Sequence, residues 1–449
     1  MKILLISANT VNDPYPVYPL GLDYVAAAVS PRHEVKIADL NGLDSHKSLL
    51  DLVNGYDPGL IGLSLRNIDN TDAAAPVHYV EDYSALVRAI RRITKAPVVL
   101  GGSGFTIFPA ELMAALGADF GIIGEGERLA GLVDAIEMGV DPQNLPGVIV
   151  NGGLAKAPPP LPMASERDPS SMDGHTGYYL KTGGMLNLQT KRGCCFRCIY
   201  CTYPHIEGRR MRLLAPESVA RTALALKAAG ARYLFITDSA FNADVDHSLA
   251  VARELRRVGL SIPWGAFFAP VDMPSSYFQE MAEAGLTHVE FGTESMSDRV
   301  LKAYRKPFER AQAIRAHRQA LAAGVNVAHY FLLGGPGENA DTLEETLEHI
   351  DGLERTVLFF FCGMRIYPHT ALFRRAAAEG VVAEDQDLLS PVFYQSPEIH
   401  SDAIRRRVLA HRRGRMNWVV GSGGPGTRET LLRMYERGYT GPLWEFLVR

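Results

Sequence analysis

Three cysteines, Cys194, Cys198 and Cys201, lie in the run Gly193-Cys194-Cys195-Phe196-Arg197-Cys198-Ile199-Tyr200-Cys201. The spacing is C-x3-C-x2-C, with an aromatic residue just before the last thiol. Three thiolates on one tight loop can hold three irons of a cubane [4Fe–4S] cluster and leave the fourth iron open. An open iron can take a substrate or cofactor, as a three-ligand zinc keeps a coordination position for chemistry. The competing metal reading is a Cys3His zinc site, with His205 four residues beyond Cys201. A disulfide framework suits a short cysteine-rich chain, and this chain is neither. Cys195 breaks the spacing of the triplet and reads as a packed neighbour. Cys362 follows the apolar run Val357-Leu358-Phe359-Phe360-Phe361 and reads as core.

The elements around the triplet set where this loop must sit. A Pro-rich stretch, Ala157-Pro158-Pro159-Pro160-Leu161-Pro162 and Asp168-Pro169-Ser170-Ser171, marks an extended linker over 152–182. A strand follows at Met185–Gln189, and the cysteine loop lies at its carboxyl end. Further strands are expected at Tyr233–Thr237, Trp264–Phe268, His288–Phe291, Val325–Leu333 and Val357–Met364, each separated by a helical pattern. Six β/α units make a partial (β/α)6 barrel over 183–380, and the carboxyl ends of its strands form the catalytic face.

The first 151 residues repeat the alternation with different loops. Strands are expected at Ile3–Ser7, Glu34–Ile37, Leu60–Ser64, Val98–Leu100 and Phe120–Ile123. Helical patterns fall near 20–30, 46–53, 80–93, 109–116 and 127–138. Alternating β and α implies a doubly wound parallel sheet, which binds ligands at the carboxyl ends of its strands. The loops there read Ser64-Leu65-Arg66-Asn67, Gly101-Gly102-Ser103-Gly104 and Gly124-Glu125-Gly126. Glycines let a backbone approach a flat or phosphorylated ligand closely. A Gly-x-Gly-x-x-Gly fingerprint should follow the first strand in a dinucleotide site. Here the first turn, Ala8-Asn9-Thr10-Val11-Asn12-Asp13-Pro14, has no glycine, which counts against NAD and favours a flavodoxin-like order.

Composition bounds the rest. The chain has 449 residues, 47% hydrophobic and 21% charged, with a net charge of −4. It is long enough for two or three domains, and its charge exerts no global pull toward nucleic acid or anionic membrane. No apolar run reaches spanning length, and the start lacks a signal-peptide cleavage region. Five cysteines, three of them clustered, fit a reducing cytoplasm. Residues 381–449 are expected to form a helical extension. Its basic helix Ile404–Arg413 could meet an anionic substrate, a membrane or a nucleic acid, or could simply be a solvated face. Gly421-Ser422-Gly423-Gly424-Pro425-Gly426 reads as a hinge before a last helix at Arg428–Arg437. The extension is expected to cap the barrel mouth.

The cysteine spacing resembles that of the radical S-adenosylmethionine (SAM) enzymes. There the open iron chelates SAM, and an electron from the cluster cleaves it to a 5′-deoxyadenosyl radical. Phe235-Ile236-Thr237-Asp238, Gly292-Thr293-Glu294-Ser295, Gly335-Pro336-Gly337-Glu338 and Arg365-Ile366-Tyr367-Pro368-His369-Thr370 resemble the strand-end motifs of the cobalamin-dependent branch. Ser239 and His369 depart from that pattern. The N-terminal domain resembles the cobalamin domain of the same branch, and the likeness covers about residues 1–380.

The resemblance implies an enzyme, a cobalamin-dependent radical SAM methyltransferase, with a [4Fe–4S] cluster, SAM and cobalamin as cofactors. Cys194, Cys198 and Cys201 would hold the cluster. Asp238 and Glu294 would accept hydrogen bonds from SAM, Tyr200 would touch its adenine, and Arg365, Arg305 or Lys306 would meet a carboxylate. His329 and Tyr330, on the fifth strand, could face the substrate. Ser64, Gly101, Gly102, Ser103, Gly124 and Glu125 would cradle cobalamin. No histidine precedes His33, so the resemblance implies a cobalt without a lower His ligand, with Asn9, Thr10, Val11 or Asn12 beneath it. It further implies an external electron donor such as flavodoxin or ferredoxin. The acceptor would be a small molecule, a lipid, a natural-product intermediate, a peptide or a phosphinate. A non-methylating rearrangement or cyclisation, and a non-catalytic cobalamin or iron–sulfur sensor, are the alternatives. A methylthiotransferase would want a second cysteine triplet, and residues 1–150 contain no cysteine.

Overall fold

A computed structural model describes residues 1–12, 15–151, 153, 158–162, 175–421 and 425–448. Asp168-Pro169-Ser170-Ser171 of the expected linker and Ser422–Gly424 of the expected hinge lie outside the described residues.

Six strands form the N-terminal sheet: β1 (Lys2–Ser7), β2 (Glu34–Asp39), β3 (Leu60–Ser64), β4 (Val98–Gly101), β5 (Phe120–Ile122) and β6 (Val148–Val150). Their spatial order is β2-β1-β3-β4-β5-β6. The first five strands are parallel, and the sixth, which the sequence pattern does not reveal, pairs antiparallel with β5. The order of the first five is that of a flavodoxin-like sheet. Helices cover both faces, so β1 and β3 are apolar almost throughout. The helix Val80–Ile93 shows how the pattern works. It buries Val80, Tyr83, Leu86, Val87 and Ile90 along one stripe. Glu81 and Asp82 open it, and Arg91 and Arg92 close it, each suited to the helix dipole.

The larger sheet contains β7 (Met185–Leu188), β10 (Tyr233–Ile236), β11 (Trp264–Phe268), β12 (Leu286–Glu294), β13 (Asn326–Leu333), β14 (Thr356–Cys362) and β17 (Trp418–Val420). All its pairings are parallel, in the order β17-β14-β13-β12-β11-β10-β7. Two small ribbons attach to it. One pairs β8 (Lys191–Arg192) with β9 (Arg212–Leu213), and the other pairs β15 (Met364–Arg365) with β16 (Phe393–Tyr394).

The C-terminal extension differs from the expected helical cap. Its helix Ser401–Arg412 buries Ile404 and Val408 and leads into β17, a seventh strand beside β14. Arg407 pairs with Glu344, and His411 and Arg415 pair with Asp351, so the basic helix is pinned to the barrel wall. The last helix spans Pro425–Glu436. Beyond it, Trp444 packs on His288 and donates to Glu290, in the amino-terminal half of β12. Trp444 thus packs with Ala328, Val357 and Phe359 against the central strands β12, β13 and β14.

Buried polar contacts join the two sheets. Arg365, beside the end of β14, pairs with Asp69 of the loop after β3 at 2.9 Å, and both side chains are almost wholly buried. Arg192 of the cysteine arm meets Glu125 at 3.3 Å and Glu127 at 2.6 Å, and Arg212 also pairs with Glu125. Tyr15 reaches from the first loop into the barrel and donates to Glu290 at 3.2 Å. Removing one partner of a buried pair strands the other charge and costs about 3–5 kcal/mol. Asp69→Asn and Arg365→Met should each lower unfolding stability by about that much in chemical denaturation. A loss below about 1 kcal/mol, the range of exposed pairs, would contradict the joint described here.

Candidate active site between the two sheets

The carboxyl ends of the two sheets face each other across one cavity of about 570 Å³. The N-terminal domain supplies Ser64, Arg66, Gly101, Gly102 and Ser103 to its wall. The barrel supplies Asn187, Gln189, Phe235, Thr237 and Phe267, and the segment after Cys201 supplies Thr202, Tyr203 and Ile206. A second pocket of about 240 Å³ adjoins it, sharing Thr71 and Tyr367. Its walls include Tyr200, Glu294, Tyr330, Phe361 and Arg365.

The glycine loop is fixed by sterics. Gly102 has φ of 99°, and a Cβ there would lie 2.7 Å from the Leu65 carbonyl oxygen, so a larger residue does not fit. The Gly104 amide donates to that same carbonyl, and Ser103 Oγ donates to the Arg66 carbonyl. These bonds hold the β3 and β4 loops together as one rim. Gly124 joins the rim through a bond from its amide to Thr106 Oγ1.

Two cavity residues have unmet polar groups. The Arg66 side chain is open to the cavity and makes no hydrogen bond or ion pair with the described residues. Desolvation by the surrounding protein lowers its pKa. Asn9 is buried with its Oδ1 unpartnered among the described residues. No histidine lines the cavity among the described residues. A large, flat, polar-edged ligand without a histidine ligand from the protein, as expected of cobalamin, fits this wall.

All five cysteines are free. Cys194 is buried, Cys198 and Cys201 are half-buried, Cys195 is exposed, and Cys362 is buried at the end of β14. Among the described residues, no three His, Cys, Asp or Glu side chains converge on a single-ion site. His205 instead stacks on His369 at 4.7 Å. The Cys3His zinc alternative therefore finds no site. A cubane makes no such demand, because each thiolate takes its own iron.

Next to the thiols stands a compact charged trio. Tyr200 Oη donates to Glu294 Oε1 at 2.7 Å, and Lys306 Nζ meets that oxygen at 3.2 Å. Burial alone would lower the Lys306 pKa, but Glu294 and the nearby thiols more than offset it, and the net shift is upward. The backbone aims Glu294 by an irregularity. The β12–β13 register shifts between Gly292 and Glu294, and Glu294 has φ of 67°. Bulges re-aim side chains beside active sites, and a left-handed non-glycine residue costs on the order of 1–3 kcal/mol.

Three expected ligand groups are occupied by the protein itself. Asp238 is buried, pairs with Lys191 Nζ at 3.2 Å and accepts from the Thr190 amide at 2.9 Å. It anchors the strand that enters the cysteine loop and offers SAM no free oxygen. Arg365 spends its guanidinium on Asp69 and on the carbonyls of Ile366 and Leu388. Glu125, although in the cavity wall, is held by Arg192, Arg212 and the Leu161 amide. The fifth strand separates its own pair: Tyr330 faces inward to Glu290 at 2.8 Å, while His329 faces outward to His317 at 3.0 Å. Alternation along a strand forces that split.

Comparison with known proteins identifies the two domains. The B12 binding domain pattern matches residues 6–133 and the radical SAM superfamily pattern matches 188–350. This is a radical SAM protein with a B12-binding domain. The chain is 26% identical to the tryptophan 2-C-methyltransferase of Streptomyces laurentii, over 84% of this chain and 74% of that protein. It is 24% identical to the cytidylyl-2-hydroxyethylphosphonate methyltransferase of Streptomyces wedmorensis, over 88% and 85%. The fold matches the radical SAM methyltransferase TsrM of Kitasatospora setae, solved with tryptophan and a SAM analogue. The TM-score is 0.88, at 23% identity over 100% of this chain and 98% of that one. Among the described residues, no helix is long and apolar enough to cross a membrane.

The thiols give a pH prediction for this radical SAM protein. Burial, reinforced by Cys198, pushes the Cys201 thiol up to about 12, and burial also raises Cys198. Only the thiolate binds iron, so cluster loading must expel protons and is favoured as pH rises. Iron and sulfide bound at limiting supply should increase between about pH 6 and pH 9. Loading that does not vary across that range would contradict the buried-thiol description.

Proposed function

We propose that this protein transfers a methyl group from SAM to a carbon of a small-molecule acceptor. The observation that carries the reading is one cavity shared by the cobalamin-type glycine rim and the segment leaving Cys201. When bound, the cluster and SAM supply a hydrogen-abstracting radical, and cobalamin carries the methyl group to carbon.

The chain's own residues position and enclose. Cys194, Cys198 and Cys201 hold three corners of the cluster. Glu294 accepts from the ammonium or ribose hydroxyls of SAM, exchanging its bond from Tyr200, while Lys306 stays paired with the carboxylate. Asp238 acts through Thr190 and Lys191 as a positioning residue, and Arg365 through Asp69. Ser64, Gly101, Gly102, Ser103 and Gly124 form the rim on which cobalamin rests, and Arg66 and Asn9 face it from the same wall. The adjoining pocket is aromatic, with Tyr330, Phe331, Phe361 and Tyr367, which suits an acceptor with a flat or apolar body.

The test uses anaerobically reconstituted protein with cobalamin, a chemical reductant and methyl-labelled SAM. Expected products are S-adenosylhomocysteine and 5′-deoxyadenosine. Cys198→Ala should lose cluster iron and reduce 5′-deoxyadenosine to background. Glu294→Gln should keep the cluster and raise the KM for SAM about ten- to hundredfold, the worth of one charge-assisted hydrogen bond. S-adenosylhomocysteine without 5′-deoxyadenosine would replace the radical step with polar methyl transfer. Neither product would overturn the proposal.

A further inference from the structure

The backbone of Glu294 is left-handed, with φ of 67°. A non-glycine residue keeps that conformation only where its surroundings over-determine it. Tyr200 and Lys306 hold the carboxylate from inside the barrel. The backbone is held by the two neighbours of Glu294, Thr293 and Ser295. Alternation along the strand puts both on the face opposite to Glu294. Both are fully buried.

Thr293 is the residue that the ladder skips: Gly292 pairs with Tyr330 and Glu294 with Phe331 on β13. Its Oγ1 lies 2.7 Å from His329 Nδ1. His329 Nε2 lies 3.0 Å from Nδ1 of His317, on the helix Arg310–Ala322. The His329 ring packs beside Phe291 and Phe331, with centroids 5.2 and 6.3 Å away, and both histidines are buried. Burial holds both imidazoles below their ordinary pKa, His317 at about 4, with Arg318 adding to the effect there and His317 to that on His329. Two neutral rings give each contact one donor and one acceptor, so the chain needs no counter-ion. On the other side, Ser295 Oγ meets Thr346 Oγ1 at 3.1 Å, on the helix Ala340–Ile350, and accepts from the Ser297 amide at 3.1 Å. The Met296 amide donates to the same Thr346 hydroxyl at 3.3 Å. None of these side chains lines either pocket.

We propose that Thr293, His329 and Ser295 are positioning residues: they clamp Glu294 on both sides from behind the sheet and keep its carboxylate aimed into the cavity. The inference rests on the function proposed above, in which that carboxylate receives SAM. Releasing either side lets residue 294 fall back to the extended conformation of its strand, which moves the carboxylate away from Tyr200 and Lys306. SAM then meets a site whose acceptor is aimed correctly only part of the time, and it binds more weakly.

The experiment uses the reconstituted full-length protein. SAM affinity is read from the change that SAM makes in the paramagnetic resonance spectrum of the reduced cluster. KM and kcat are read from SAM-derived products, and the backbone at residue 294 from crystal structures of the variants. Thr293→Val and His329→Leu should displace Glu294 from Tyr200 while cluster iron stays at the parent's level. Each should raise the KM for SAM about fivefold to tenfold, the worth of one buried hydrogen bond, with kcat within about twofold of the parent. Thr293→Ser keeps the hydroxyl and should restore the parent's KM. Thr293→Val added to Glu294→Gln should raise KM no further, because the group being aimed is already gone. His247→Gln, at a buried histidine on the helix Val245–Arg257, should leave KM unchanged. Should Thr293→Val fail to fold, Ser295→Ala frees the other side of Glu294 and carries the same expectations. The proposal is overturned if Glu294 keeps its left-handed backbone and its bond from Tyr200 in the variants. It is also overturned if Thr293→Ser behaves as Thr293→Val does, or if Thr293→Val raises KM equally with and without Glu294→Gln. A displaced Glu294 with unchanged SAM affinity, or protein that makes no SAM product, would sink the function reading alone, since the crystal structures decide the clamp without turnover.

Discussion

The buried pair between Asp69 and Arg365 joins two sheets that would otherwise be independent folds. Each sheet presents the carboxyl ends of its strands, where backbone amides and loop side chains are free for ligands. Chemistry between two large cofactors requires those ends to face each other at a fixed separation. Apolar packing alone is non-directional and could slide. Charged pairs with partners on opposite domains, including Arg192 with Glu125 and Glu127, set register as well as contact. The same glutamate takes Arg212 and the Leu161 amide, so the first sheet, the linker and the cysteine arm meet at one carboxylate.

This arrangement explains which parts of the site were legible in the sequence. The cysteine triplet is local, and its spacing alone places three thiols on one loop. Strands such as β1 and β3 are continuous apolar runs between turn residues, so their period betrays them. Gly102 is readable because its backbone conformation admits no side chain. The roles of Asp238, Arg365 and Glu125 were not readable, because a charged residue at a strand end looks the same whether its partner is a ligand or another domain. Asp69 lies 296 positions from Arg365, and no local pattern links them. The seventh strand, Trp418–Val420, was missed because three residues carry too little periodicity, and it owes its place to β14 and to the helix before it.

Along β12, two glutamates with different surroundings take different roles. Glu294 holds a left-handed backbone at a bulge, and its carboxylate is balanced by Lys306 and Tyr200. Glu290, two pleats earlier on the same strand, is wholly buried and satisfied by Tyr15, Tyr330 and Trp444. One carboxylate stays poised for exchange with a ligand, while the other ties the first loop, the fifth barrel strand and the chain's end into a floor. The difference follows from position: strand ends open to the cavity, and strand interiors do not.

The central claim is that cluster and cobalamin occupy one space between the two sheets. Electron paramagnetic resonance of the anaerobically reconstituted protein, holding a reduced cluster and cob(II)alamin together, tests it directly. The account predicts signals altered by mutual magnetic coupling, with that coupling lost when either cofactor is left out. A spectrum equal to the sum of two isolated, unperturbed centres would contradict it.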